Sequence, residues 1–233
     1  MIITYDAFRA IYGVKITDKM TGKMEGMHSL STSSLVNPFC QARAKNPNNV
    51  CHKCYANQAL SYRRSQNDCY VNNFNVITTT VFEEKFLPDV FVPYFRFQAF
   101  GDVYNLTEMF NDINIARHNP RTTFTLFSKN HALVERAFTI FGKPDNMIYV
   151  HSMSELNAQI DVDKFRADHP FVDHVFIVVT AKFALENDIT INCARKCIAC
   201  LKCYKKDTDF VIYEILKQEE HKYFKALHAN DEN

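Results

Sequence analysis

The sequence predicts an α/β fold on a mostly parallel sheet, as one domain spanning residues 1–233. Three observations lead there. Short runs of β-branched and aromatic residues alternate with stretches of helical period, which is the pattern of βα units. About six or seven such runs suit a barrel or partial TIM-like barrel. Apolar residues make up 47% and charged residues 23%, which supports a real hydrophobic core.

The elements follow in chain order. Residues 26–31 read as a short strand running into the polar turn Thr32-Ser33-Ser34. Residues 37–54 read as loop, because Asn37-Pro38, Asn46-Pro47 and Asn48-Asn49 are turn signals. Residues 54–84 read as one or two helices, and 92–100 as a strand closed by Gly101. Leu106, Met109, Phe110, Ile113 and Ala116 fall on one face of a helix over 106–117. Strands are expected over 122–127, 146–151, 173–180, 188–192 and 210–216. Helix is expected over 131–141, in part of 155–167, and over 219–228. The core then runs from about residue 25 to 216, with a cysteine-rich segment at 193–203. In parallel α/β folds the chemistry sits at the carboxyl ends of the strands. Polar residues recur there: Ser31 to Ser34, Gly101-Asp102, Ser128-Lys129-Asn130, His151-Ser152 and Asn192-Cys193.

Composition excludes several classes of function. Lys and Arg total 27 against 26 Asp and Glu, so bulk charge gives no argument for nucleic acid or membrane. The first residues show no leader pattern, and the most apolar run, 171–185, is broken by Asp173, His174 and Lys182. The expected compartment is the cytoplasm. With five glycines and no GxGxxG or GxxxxGK[ST], a glycine-rich phosphate cradle is not expected.

The eight cysteines form two groups. In a reducing compartment such clustering points to metal rather than disulfides. The late group is Cys193, Cys197, Cys200 and Cys203, a C-x3-C-x2-C-x2-C run that can direct several thiolates at one centre. Four thiolates suit a [4Fe–4S] cluster, with tetrahedral zinc as the alternative. The early group is Cys40, Cys51 and Cys54, with His52 or Cys69 as an optional fourth donor. Three protein ligands leave an open coordination position for substrate or cofactor. Two separate sites and one shared site are both compatible with the spacing.

The stretch Cys51-His52-Lys53-Cys54-Tyr55-Ala56 resembles the end of the radical-SAM motif CxxxCxxC, where an aromatic residue often follows the last cysteine. Phe95 to Asp102 resembles that superfamily's second strand, with Gly101-Asp102 in place of a Gly-Gly-Glu turn. The chain departs from the motif by placing ten residues between Cys40 and Cys51. Cys193, Cys197 and Cys200 carry the motif's spacing, but late in the chain. The whole layout is similar to the phage and prophage family called gene product 88. The matching features are Ser29-Leu30-Ser31-Thr32, the CxxCYA motif, Phe95 to Asp102, Phe124 to Asn130 and the late cysteines.

The resemblance implies a radical-SAM-like partial barrel carrying iron–sulfur clusters, in the cytoplasm of a bacterial host. The early cysteines would hold a cluster with an open iron, and the late four an auxiliary one. Gly101 and Asp102 would contact S-adenosylmethionine, and an electron donor would serve its one-electron cleavage. Lys129 and Asn130 are candidates for a carboxylate or phosphate of the bound molecule. His151 is a candidate acid–base or ligand. Arg96, inside a strand, needs an anionic partner if buried. The alternative is a zinc-stabilised, non-catalytic protein binding nucleic acid through Arg63-Arg64, Arg195-Lys196 and Lys205-Lys206.

Overall fold

Six apolar runs pair into one parallel sheet in the computed structural model, which describes residues 2–193, 195–219 and 223. The strands are β1 (His28–Leu30), β2 (Tyr94–Phe97), β3 (Thr123–Ser128), β4 (Met147–Ser152), β5 (His174–Val179) and β6 (Val211–Ile215). They lie side by side in chain order, with no reversal. The sheet is open, with β1 and β6 as its edges among the described residues.

Parallel neighbours need crossovers, and helices supply them. α1 (Tyr5–Tyr12) precedes β1. α2 (Pro38–Ala44), α3 (Tyr55–Tyr62) and α4 (Arg64–Ile77) lie between β1 and β2. α5 (Leu106–His118), α6 (His131–Phe141) and α7 (Val162–Asp168) make the next three crossovers. α8 (Ala181–Glu186) and the short α9 (Cys197–Cys200) lie between β5 and β6.

Period-two alternation gives the sheet two different faces. In register, Phe95 pairs with Phe124 and Phe124 with Met147. These residues, with Phe97, Leu126, Tyr149 and Ile177, pack against the buried sides of the helices, including Phe8, Met109, Ile113 and Phe138. The opposite face carries Arg96, Phe127, Ser152, Phe176 and Glu214, which border a cavity.

Local chemistry explains where the elements depart from expectation. Residues 37–54 are not simply loop. Asn37 accepts from the Phe39 and Cys40 amides at 2.9 and 3.4 Å, and Pro38 opens the first turn, so α2 forms. A 3-10 turn follows over Val50–Lys53. Residues 188–192 make no strand. The Asn192 side chain instead takes the Tyr213 amide at 2.7 Å and donates to the Val211 carbonyl at 3.0 Å, bonds a strand backbone would otherwise make. β2 is shorter than expected because Gln98 has a positive φ of 54°. α1 and α8 form although no helix was expected at either place. Most of the helix expected over 219–228 lies outside the described residues. No described helix is long and apolar enough to cross a membrane.

Candidate functional site

The cavity of about 230 Å³ sits at the carboxyl ends of the strands. Every strand contributes: Ser34 beyond β1, Gln98 to Asp102 beyond β2, and Phe127 to Lys129 at the end of β3. Ser152 ends β4, Phe176 and Val178 lie on β5, and Glu214 to Gln218 close it from β6.

The early cysteines reach it from the β1–β2 connection. α2 carries Cys40, and Asn37 Nδ2 ties that helix to the Asp102 carbonyl at 2.7 Å. Asn49 accepts from the Cys51 amide at 2.9 Å, and the Val50 amide donates to the Ser154 carbonyl at 2.8 Å. Cys54 stands at the start of α3. Tyr55 follows, and its hydroxyl donates to the Ala99 carbonyl at 2.8 Å. Late cysteines reach the same cavity from the other side. The Cys193 amide donates to Tyr213 on β6 at 3.1 Å. α9 carries Cys197 and ends at Leu201, whose φ is 55°. The Cys203 carbonyl accepts from Thr125 on β3 at 2.9 Å.

The fold thus brings Cys40, Cys51 and Cys54 onto one cavity with Cys193, Cys197 and Cys203. Cys200 lies on α9 but does not border it. Burial, then Asp102, pushes the Cys40 thiol up, and Cys51 and Cys54 add to the effect. Burial also raises Cys51, against the pull of Lys129. Cys193 is pushed up to about 12 by burial and then by Glu214. Burial raises Cys197 and Cys203 as well, with Arg96 opposing in both cases. Within each group the thiols feel one another. Among the described residues no three His, Cys, Asp or Glu side chains stand close enough to hold a single metal ion.

A family model described as gene product 88 matches residues 15–222. The chain belongs to the gene product 88 family. No curated protein and no solved structure matches it. The family match takes in all six strands and both cysteine groups, and every residue lining the cavity lies within the matched span.

In this family member the other expected site residues divide. Gly101, Asp102 and Lys129 border the cavity. Gly101 has a φ of 82°, and a Cβ there would stand 2.7 Å from the Thr32 carbonyl, so its backbone packs on the chain beyond β1. The Asp102 carboxylate accepts from Ser128 Oγ at 2.6 Å and from the Lys129 and Val103 amides at 2.9 and 2.8 Å. It braces the ends of β2 and β3. Lys129 Nζ reaches Ser152 Oγ at 2.6 Å. Asn130 does not border the cavity, and its amide donates to the Val103 carbonyl at 3.0 Å. His52 bonds the Ala44 carbonyl at 3.0 Å and stays outside. Cys69 lies on α4 beside a separate small core containing Leu60 and Tyr70. His151 lies on the helix-covered face, stacked on His131 and edge-on to Phe165, so β4 points it away from the cavity.

Arg96 borders the cavity with its guanidinium 3.7 Å from the Phe127 ring centroid. Its Nε is buried without a hydrogen-bond partner, and no described carboxylate pairs with it. Sequence reasoning missed Lys23 and Glu214, an ion pair at 2.7 Å on the cavity wall. An acid inside the strand run Val-Ile-Tyr-Glu-Ile was the available signal for Glu214.

Proposed function

We propose that the protein is an iron–sulfur protein, a radical-SAM-like enzyme whose substrate occupies the cysteine-lined cavity. The observation that carries this reading is that six cysteines from two distant segments border one cavity at the carboxyl ends of a parallel sheet. Strand order without reversal supports reading that sheet as an open section of a barrel.

Cys40, Cys51 and Cys54 would hold a [4Fe–4S] cluster with one open iron. Cys193, Cys197, Cys200 and Cys203 would hold the second. The donor chemistry fits: thiolates are the usual cluster ligands, and a cluster of several irons takes donors spread more widely than one ion does. Tetrahedral zinc on the same thiols is the alternative, and metal analysis separates the two. When bound, a cluster supplies one-electron chemistry and, with S-adenosylmethionine, hydrogen abstraction.

The protein's own residues supply the setting. The Arg96 guanidinium, without a carboxylate partner, offers positive charge to the thiolates of Cys197 and Cys203. Asp102 holds Ser128 and the Lys129 backbone in place, which aims the Lys129 ammonium along the cavity wall towards Ser152. Phe127 and Phe176 make that wall apolar and limit water.

Anaerobic purification followed by iron, sulfide and zinc analysis tests the proposal. Brown protein with stoichiometric iron and sulfide is expected, and its cluster spectrum changes when S-adenosylmethionine is added. Colourless protein with stoichiometric zinc sinks the iron–sulfur reading. A cluster spectrum indifferent to S-adenosylmethionine sinks the radical mechanism alone. Cys200→Ala should lose only one cluster.

A further inference from the structure

Beside the cysteine cavity lies a second, open groove of about 680 Å³. Its walls come from residues 15–24, α3, the start of α4 and the turn after β2. It shares Lys23, Met24, Tyr55, Ala99, Phe100 and Lys217 with the cavity, so the two spaces adjoin.

The groove is strongly one-signed although the chain has a net charge of only +1. Among the described residues Lys15, Lys19, Lys23, Arg63 and Lys217 line it, and no Asp or Glu does. Glu214 answers Lys23 at 2.7 Å. The other four make no ion pair among the described residues. Two rings stand among these cations. Tyr62 is 68% exposed, with the Arg63 guanidinium 5.8 Å from its centroid. Tyr55 is 43% exposed, with Lys217 Nζ 4.2 Å from its centroid.

Unpaired cations set among exposed rings match a ligand that alternates phosphates with flat bases. A duplex satisfies the cations but hides its base faces. An acidic protein satisfies the cations and leaves the rings without a planar partner. We propose that this groove binds single-stranded nucleic acid and leads it to the cysteine cavity. The binding stands on the groove alone; that the cavity then acts on the strand rests on the iron–sulfur reading.

Fluorescence anisotropy with labelled oligothymidylate and oligouridylate tests it, on anaerobically purified full-length protein of measured iron content. Affinity should fall with salt at a log–log slope of about −3, four phosphate contacts at about 0.7 each. Lys15→Glu, Lys19→Glu and Arg63→Glu together should weaken binding at least about tenfold and flatten the slope by about 2. These side chains are exposed, so melting temperature should hold; the corresponding Gln variants give a second, milder test. Tyr62→Ala should cost about tenfold through lost stacking. No binding at low salt, or binding indifferent to the charge reversals, overturns the proposal. Displacement of the oligonucleotide by poly-L-glutamate at equal charge, with Tyr62→Ala silent, overturns it in favour of an acidic protein partner. Iron-free protein that binds keeps the groove and counts against the cluster; iron-loaded protein that does not bind sinks the groove alone.

Discussion

At the scale of single residues, close packing and burial govern the turn after β2. A side chain at Gly101 meets Thr32, and its φ of 82° already disfavours any residue with a Cβ. Gly101→Ala should therefore lower unfolding free energy by about 2–4 kcal/mol, read as a shift in urea midpoint. An unchanged midpoint would mean that the Thr32 contact is not tight. Glu108 lies close by, fully buried, accepting from Gln98 Nε2 at 2.6 Å and the Tyr104 amide at 2.7 Å. Burial pushes its carboxyl up to about 8. Its native pKa lies above the unfolded value of about 4.3, so its contribution is full below that pH and is lost as pH rises through about 8. Glu108→Gln should remove that loss, about 2 kcal/mol between roughly pH 6.5 and 8. Denaturant titrations at the two pH values check it, and an equal decline in the variant would refute the assignment. Gly101-Asp102 was legible in the sequence as a special turn. Its bond to Ser128 was not, because that partner lies 26 residues away.

Among elements, the strands were legible and the cysteine-bearing connections were not. β-branched and aromatic runs such as Thr123–Ser128 and His174–Val179 announce strands by themselves. α2 contains Pro38 beside Asn37 and read as a turn. What makes it a helix on the cavity is Asn37, which caps it and also donates to the Asp102 carbonyl. Asn37→Ala removes both the cap and a buried bond, at about 2 kcal/mol together. Reduced iron retention is expected alongside, since Cys40 rides on that helix. Iron content and melting temperature measured on one sample check both; full iron with unchanged melting would show that α2 is held by other contacts.

For the molecule as a whole, buried groups on the helix-covered side of the sheet set the response to pH. His151 is held down to about 3 and His131 to about 2, in both cases mainly by burial. Such histidines destabilise the fold as pH falls below about 6.5, where the unfolded chain takes up protons that the native one refuses. Glu108 and Asp112, both raised by burial, act in the opposite sense as pH rises above about 4.3. The two effects offset each other between about pH 4.5 and 6.5, so stability should be flat there and decline on either side. Melting temperature across pH 4 to 8 tests this at about half-unit steps, and a steady rise to pH 8 would contradict it.

The sequence by itself determined the α/β class, the parallel strands and the two cysteine groups, because periodicity and clustering are local properties. Tertiary structure decided which of the marked residues meet. It set Cys40 and Cys193 on one cavity, turned His151 to the other face, and brought Arg63 and Lys15 to the walls of one groove. Those outcomes depend on strand register and on capping bonds between segments far apart in the chain, which no local pattern encodes.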